Sequence, residues 1–243
     1  MSQPELSVVV PVHNERGNIA PLIVEICAAL RGRIAFEIVY VDDLSCDDTL
    51  QVLADQQARV PELRVLRHQS QSGQSTALRN GVKAAHSAWI ATLDGDGQND
   101  PADIPKLLDE RDRANDNVRL FAGWRVKRND DLLKRLSSWI ANGVRSRLLR
   151  DATPDTGCGI KLFERSAFLD LPYFDHMHRY LPALMQRAGF GTISVPVNHR
   201  PRNTGVSKYG MWNRLWVGIS DLRGVAWLIR RSRRSIVEER VRG

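Results

Sequence analysis

The first half of the chain alternates short apolar runs with segments of helical periodicity, and this alternation is what most constrains the fold. The apolar runs lie at residues 6–12, 36–43, 63–68 and 88–96, with a helical pattern after each. Runs that are apolar along their whole length are typical of strands buried on both faces, and intervening helices favour parallel pairing. The sequence therefore predicts an α/β fold with a mostly parallel sheet sandwiched by helices.

The second half is less regular but continues the pattern. Residues 118–126 and 191–201 predict two more strands, and helical spacing recurs at 131–150, 178–190 and 211–234. The segments 131–150 and 211–234 combine an apolar stripe with tryptophan and flanking basic residues, which is typical of amphipathic helices at a membrane interface. Ordinary core-packing helices with basic outer faces would show the same pattern.

Charge is unevenly spread along the chain, whose net charge is +7. Basic residues are sparse before Lys106 and dense after it, which predicts an anionic partner such as nucleic acid, an acidic membrane or a phosphorylated substrate. Three scattered cysteines are too few for a disulfide framework and indicate a reducing compartment. With no signal-peptide pattern and no apolar run of ~20 residues, we expect a cytoplasmic protein, with a membrane surface as one candidate location.

Carboxylates collect where the predicted strands end, although the chain as a whole is basic. Ligands of open parallel sheets bind beyond the carboxyl ends of the strands, so "PVHNE", "VDDLS" and "LDGDGQ" are expected along one edge that forms the site. In the third of these, Asp94, Asp96 and Gln98 place hard oxygen ligands at alternate positions, as suits Mg²⁺ or Mn²⁺. The alternative for such an acidic loop is capping of the next helix, the role expected for Asp100 before Pro101.

Asp42 and Asp43 end the second predicted strand in the same way. A carboxylate at that position can accept hydrogen bonds from a ribose hydroxyl or a base N–H. Turn and helix-cap chemistry is the alternative, and Ser45 or Asp47 fits that role before the next helical pattern.

Several common enzyme signatures are absent from the sequence. There is no G-x-x-x-x-G-K-[ST] loop, no G-x-G-x-x-G after the first strand and no G-x-S-x-G elbow, and the histidines lack metal-ligand spacing. These absences exclude a P-loop NTPase, a usual dinucleotide fold and an α/β-hydrolase. The chemistry must then rest on carboxylates and a cation.

Seven motifs occur in one order: "SVVVPVHNERGNI", "FEIVYVDDLSCDDT", "GQSTALRNGVKAA", "LDGDGQNDPADIPKLL", "GWRV", "DTGCGIKLFER" and "RNTGVSKYG". Together they resemble a family 2 glycosyltransferase of the dolichol-phosphate mannose synthase and polyprenyl-phosphate glycosyltransferase group, over roughly residues 5–210. The resemblance implies a GT-A (Rossmann-like) fold, a nucleotide-diphospho-sugar donor linked to UDP or GDP, Mg²⁺ or Mn²⁺, and inverting transfer to a polyprenyl monophosphate.

The resemblance also implies roles for individual residues, position by position. Asp94 and Asp96 match the D-x-D of the family, and Asp96 and Gln98 would be the closest metal ligands. Four residues would line the nucleoside pocket: Pro11, Asn14, Glu15 and Asp43.

On the acceptor side, Arg125 falls at the position of an acceptor-phosphate arginine, with Arg135 as a second. A loop of the form R-x-x-G-x-S-K, thought to close over donor and acceptor phosphates, is matched by Arg202, Ser207 and Lys208. Asp155 matches the acid of a D-x-x-[ST]-G-F segment, in which this chain instead has Cys158 and Ile160.

These observations predict a GT-A catalytic domain over residues 1–210 and an amphipathic, basic membrane-interface segment over residues 211–243. The expected partners are the nucleotide sugar, the polyprenyl phosphate, an anionic membrane surface, and a second copy of the chain or a membrane protein. No nucleic acid is expected, because the chain lacks interleaved aromatic residues for stacking bases. Two alternatives stay open: a family 2 enzyme with a nonlipid acceptor, and a noncatalytic basic adaptor.

Overall fold

A computed structural model of the protein describes residues 3–126, 143, 145–149, 151, 153–201 and 211–233. The first half consists of four strands, each followed by a helix. The strands are β1 (Leu6–Val12), β2 (Phe36–Asp42), β3 (Leu63–Arg67) and β4 (Trp89–Thr92), and the helices are α1 (Arg16–Leu30), α2 (Thr49–Gln57), α3 (Gln74–Ala84) and α4 (Ile104–Arg113).

Among the described residues of the second half, further strands and helices follow. They are β5 (Val118–Arg125), β6 (Lys161–Glu164), α5 (Arg165–Leu169), α6 (Leu181–Ala188), β7 (Gly191–Val197) and α7 (Met211–Arg230). Short 3₁₀ turns at Pro101–Asp103 and Met177–Arg179 lead into α4 and α6. Residues 145–149 are helical, whereas the rest of the predicted helix at 131–150 is mostly outside the described residues.

The strands form one seven-stranded sheet in the order β3-β2-β1-β4-β6-β5-β7. All neighbours pair in parallel except β6, which is antiparallel to both β4 and β5. The prediction of a mostly parallel sheet covered by helices is therefore confirmed. β6 was not predicted, because four residues, "KLFE", are too few to show a strand period.

Hydrophobic cores lie on both faces of the sheet, as expected for strands that are apolar throughout. Val8 and Val10 of β1 pack into one core with α1 and α4, and Val9 packs into the other with α3 and α6. Alternate residues of a strand point to opposite faces, so a continuous apolar run buries both. The second core also includes Val225 of α7, which is fully buried.

Helix α7 occupies much of the segment predicted to be amphipathic at 211–234. Within the part of the chain that the structure describes, no helix is long and apolar enough to cross a membrane. The interfacial role of α7 stays a prediction. Arg135, Arg202, Ser207 and Lys208 lie outside the described residues, so the roles implied for them also stay predictions.

Candidate active site

The ends of β1, β2 and β4 meet at the carboxyl edge of the sheet. The Asp43 N–H donates to Val12 O over 2.9 Å, and the Leu93 N–H donates to Val9 O over 3.3 Å. The three polar strand ends "PVHNE", "VDDLS" and "LDGDGQ" thus lie side by side, as predicted from parallel pairing.

Asn14 and Glu15 join the end of β1 to the loop after β2. Asn14 adopts a left-handed conformation with φ 57°, which turns its side chain so that Oδ1 accepts the Cys46 N–H over 2.8 Å. The Glu15 N–H donates to Thr49 Oγ1 over 2.9 Å, and the Glu15 carboxylate accepts from the Asn18 amide over 2.7 Å. The nucleoside contacts that the resemblance implies for both residues stay predictions.

Asp43 is buried and organises the start of α3. Its carboxylate accepts the backbone N–H groups of Ser72 and Gly73, each over 2.8 Å, and pairs with His68 Nδ1 at 2.7 Å. Burial opposes ionisation, but the hydrogen bonds from Ser72, His68 and Gly73 outweigh it and lower the pKa of the Asp43 carboxyl below its ordinary value. Asp43 is therefore an ionised structural anchor beside the predicted nucleoside site.

The D-x-D segment follows β4 and brings two carboxylates together. Asp94 accepts a hydrogen bond from Gln74 Nε2 over 2.8 Å, and its N–H donates to Asn99 Oδ1 over 2.9 Å. Burial and the nearby charge of Asp96 raise the pKa of the Asp94 carboxyl. Repulsion of this kind between neighbouring carboxylates is relieved when a cation binds between them.

Asp96 and Asp100 have different local roles in the same turn. The Asp96 Oδ1 atom accepts the Gln98 N–H over 3.1 Å, across Gly97, whose φ of 74° suits a residue without Cβ. Asp100 accepts the Ala102 N–H over 3.0 Å and caps the 3₁₀ turn before α4, as predicted.

The donor set of the D-x-D segment fits a divalent cation that shares its ligands with a bound substrate. No group of three or more His, Cys, Asp or Glu side chains suited to a metal occurs among the described residues. Mg²⁺ is commonly bound by one or two carboxylates, with substrate phosphates and water completing the octahedron. Asp94, Asp96 and the Gln98 amide supply a set of that type.

Lys161 is a buried cation in this site, and it was not predicted from the sequence. It begins β6, pairs with Thr92 of β4, and is 4% exposed. Its ammonium donates a hydrogen bond to Cys158 O. Burial lowers the pKa of Lys161, and the negative charges of Asp94 and Asp155 oppose that change. A lysine within the apolar stretch "GIKLF" was the available signal, but the strand that carries it was not predicted.

Arg125 and Asp155 form a bidentate ion pair between the end of β5 and the loop before β6. Arg125 Nε lies 2.6 Å from Asp155 Oδ2, and its terminal nitrogen Nη2 lies 2.9 Å from Oδ1. The hydrogen bonds that Arg125 donates to Asp155 raise the pKa of Arg125 further. Asp155 thus orients the arginine for which the resemblance implies a contact with the acceptor phosphate. Cys158 and Ile160, where this chain departs from the family segment, are both buried.

A cavity of about 160 Å³ opens beside Asp94. Its walls come from β1, α3, β4, the 156–159 loop, β6 and the Met177–Arg179 turn, and include Pro11, Gln74, Asp94, Lys161, His178 and Arg179. His178 Nδ1 lies 2.7 Å from Ser75 Oγ, and burial lowers the pKa of His178 to about 3, so the ring is neutral at pH 7. The helical pattern over 178–190 includes His178 and Arg179, but no motif in the sequence indicates a role for either residue.

The mixed sheet, with a D-x-D segment at its carboxyl edge, defines a glycosyltransferase of the GT-A type. The family model "Glycosyl transferase family 2" matches residues 7–171. The chain therefore belongs to this family, and the family resemblance noted in the sequence is confirmed.

Two relatives are similar to this chain in sequence over most of its length. A dodecaprenyl-phosphate galacturonate synthase of Rhizobium johnstonii is 36% identical over 233 residues, which cover 93% of this chain and 68% of that protein. An undecaprenyl-phosphate 4-deoxy-4-formamido-L-arabinose transferase of Edwardsiella ictaluri is 31% identical, over 85% of this chain and 63% of that protein. The chain thus spans about two thirds of the length of these relatives.

Solved structures of glucosyl-3-phosphoglycerate synthase from Mycobacterium tuberculosis share the fold. The complex with Mg²⁺ and UDP has a TM-score of 0.68 at 17% identity and covers 91% of this chain and 80% of that one. The complex with Mn²⁺, UDP and glucosyl-3-phosphoglycerate has a TM-score of 0.66 at 16% identity, covering 93% and 80%. At this level of identity the likeness concerns the fold alone.

Proposed function

We propose that this protein transfers a sugar from a nucleotide-diphospho-sugar to a polyprenyl monophosphate, with inversion at the anomeric carbon. The observation that carries the proposal is the pairing of Asp94 with Asp96 at the carboxyl edge of the sheet, beside a cavity large enough to hold part of a ligand. Family membership and the polyprenyl-phosphate names of the two relatives support the lipid acceptor.

The carboxylates of the D-x-D segment act on the donor. Mg²⁺ or Mn²⁺ held by Asp96 and Gln98, close to Asp94, would neutralise the charge that develops on the departing diphosphate. The Gln74 amide fixes the Asp94 carboxylate at 2.8 Å, and the Asn99 side chain fixes its backbone at 2.9 Å. These contacts preorganise the donor side before the substrate binds.

The acceptor needs little help from a base, because a phosphate monoester is already ionised at pH 7. Arg125, oriented by Asp155, supplies a planar positive group that suits a phosphate, and it keeps its charge at any working pH. His178 is uncharged at neutral pH and is not required as a proton acceptor in this mechanism.

We also propose that α7 brings the protein to the cytoplasmic face of the inner membrane. Trp227 is 59% exposed, the Arg231 guanidinium lies 5.9 Å from the centre of its ring, and Arg223 and Arg230 are exposed on the same helix. Tryptophan beside basic residues is the usual pattern of interfacial helices on anionic lipid.

The test uses purified protein, undecaprenyl phosphate in detergent, Mg²⁺, and radiolabelled UDP- and GDP-sugars. We expect label in an organic-extractable, acid-labile product. Asp96→Asn, which keeps the side-chain shape but removes its charge, should lower this transfer about 100-fold or more. The control is Asp116→Asn, an exposed aspartate in the turn before β5, which should leave turnover unchanged.

Two outcomes would contradict the proposal. Label found only in a water-soluble product would mean that the acceptor is not a lipid phosphate. Turnover of Asp96→Asn equal to that of Asp116→Asn would mean that the carboxylate has no role in transfer.

A further inference from the structure

The cavity beside Asp94 has a charge distribution that a neutral sugar does not need. We propose that this cavity is the subsite for the transferred sugar and that it takes a sugar bearing a carboxylate, a uronic acid, whose carboxylate is bound by Arg179 with Lys161. The inference rests on the proposed function and names the donor class for the same site.

The position of the cavity identifies it with the sugar. The anomeric carbon is bonded directly to the diphosphate, so the sugar of a donor held at the D-x-D segment must lie next to Asp94. The cavity has Asp94 and Gln74 in its wall, joined by a 2.8 Å hydrogen bond, and extends from there to the 156–159 loop and the Met177–Arg179 turn. A wider depression around Arg31 and Glu62 lies at the opposite edge of the sheet, away from the D-x-D segment.

The charges that line the cavity do not balance. Its cations are Lys161 and Arg179, and Asp94 is the one acidic residue among the described residues that line it. Asp94 is half-buried and Lys161 is buried, and their opposite charges compensate each other in part. Burial lowers the pKa of His178 to about 3, so this ring adds no charge at pH 7. One positive charge, that of Arg179, is left over.

Arg179 is placed to use that charge on a ligand. It is exposed at the end of the 3₁₀ turn, and no hydrogen bond or ion pair joins its guanidinium to another described residue. By contrast, Arg125 is bound at two points by Asp155. A guanidinium binds a carboxylate through two parallel N–H donors. Lys161 lines the same cavity, and one of its three N–H donors goes to Cys158 O, which leaves two donors for the anion.

The first test measures donor binding without any acceptor. Titration calorimetry in Mg²⁺ compares UDP-galacturonate with UDP-galactose and UDP-glucuronate with UDP-glucose, pairs that differ only in the carboxylate at C6. We expect the wild-type protein to bind at least one uronate about 10- to 100-fold more tightly than its neutral counterpart, as one charge-assisted contact would give.

Variants at Arg179 then assign the preference to this residue. Arg179→Gln should remove most of the preference by weakening uronate binding about tenfold or more, with little change for the neutral sugars. Arg179→Lys should restore part of it, because the charge returns without the planar fork. The control is Arg59→Gln, an exposed arginine just after α2 at the opposite edge of the sheet.

Two results would overturn the inference. The first is a wild-type protein that binds neither uronate more tightly than its neutral counterpart. The second is an Arg179→Gln variant that weakens all four donors equally, since Arg179 would then contact the diphosphate that they share. A parallel assay of transfer to undecaprenyl phosphate separates this inference from the proposed function, because uronate preference in binding without lipid-linked product would contradict the lipid acceptor alone.

Discussion

Gly159 determines how closely the loop before β6 approaches the D-x-D segment. A Cβ atom at this position would overlap Asp94 Oδ2 and Asn99 Oδ1, well inside van der Waals contact. Asn99 Oδ1 is the atom that fixes the turn after β4, since it accepts the Asp94 N–H over 2.9 Å. The absence of a side chain at residue 159 is therefore a requirement of the D-x-D turn in this conformation.

We predict that Gly159→Ala will impair the reaction more than it impairs folding. The added methyl group must displace the Asp94 carboxylate, and misplacing such a group by about 1 Å costs about 100-fold in rate. The free energy of unfolding should fall by only about 1–3 kcal/mol, as for other overpacked sites. Transfer assays and urea unfolding of the same preparation measure the two effects.

The matched control for this substitution is Gly224→Ala in α7. No heavy atom lies within 4 Å of a Cβ atom at residue 224, so the methyl group should raise the free energy of unfolding by about 0.5–1 kcal/mol through helix propensity. Normal transfer by Gly159→Ala would show that Asp94 tolerates displacement.

At the scale of residues, the sequence predicted those features of the site that depend on neighbouring residues in one segment of the chain. Asp100 was predicted to cap a helix, and it does so through the Ala102 N–H. Asp94 and Asp96 were predicted to lie together at a strand end, and they do. Lys161 and Arg179 were missed because they reach the cavity from distant segments, and only the tertiary structure shows that they share it.

At the scale of elements, Asp43 connects β2, β3 and α3. It follows β2, pairs with His68 after β3, and accepts two backbone N–H groups at the start of α3. Ser72 and Gly73 are the two residues before α3, so their N–H groups have no helical partner, and the buried carboxylate satisfies both of them. The position of α3, and with it of Gln74 against Asp94, therefore depends on this side chain.

We predict that Asp43→Asn lowers the free energy of unfolding at pH 7 by about 1–3 kcal/mol, because an amide cannot accept from Ser72, Gly73 and His68 together. The KM for the nucleotide sugar should rise as α3 loses its anchor. Asp55→Asn, on the exposed face of α2, is the control and should change neither quantity.

The pH dependence of this effect follows from the lowered pKa of Asp43. A carboxyl whose pKa is lower in the folded state than its ordinary 3.8 contributes stability above that value, and loses it as the pH falls through the folded pKa. The stability difference between wild type and Asp43→Asn should therefore be constant from pH 7 to pH 5 and shrink only below about pH 4. A difference that already disappears by pH 5.5 would contradict the lowered pKa.

The elements themselves were predictable to different extents. Units built from a long apolar run and a helix, such as β1–α1 and β2–α2, follow from periodicity because each element spans several periods. β6 has four residues and returns antiparallel between β4 and β5, so neither its length nor its neighbours are visible in the local pattern. Pairing with β4 and β5 determines the position of β6, and these contacts exist only in the tertiary structure.

At the scale of the whole molecule, α7 lies between the proposed membrane surface and the turn that lines the cavity beside Asp94. Its Asp221 pairs with His176 Nδ1 at 3.0 Å, directly before the turn that carries Arg179. Arg187 of α6 donates to Leu228 O over 2.9 Å, and Val225 is fully buried in the second core. A lipid acceptor approaching along α7 would therefore reach the side of the site where Arg179 lies.

We predict that the protein binds vesicles containing anionic phospholipid through the exposed side of α7. In the wild-type protein, membrane binding would remove the exposed Trp227 ring from water. Trp227→Ala loses this contribution and should weaken sedimentation with these vesicles about tenfold. Arg230→Gln should weaken it about fivefold, and raised salt should weaken binding of the wild-type protein, as expected for attraction to a charged surface. Val24→Ala removes an exposed apolar side chain from α1 instead and is the matched control, since Val24 is 63% exposed. Equal vesicle binding by Trp227→Ala and Val24→Ala would show that α7 is a packing helix whose basic face meets only solvent.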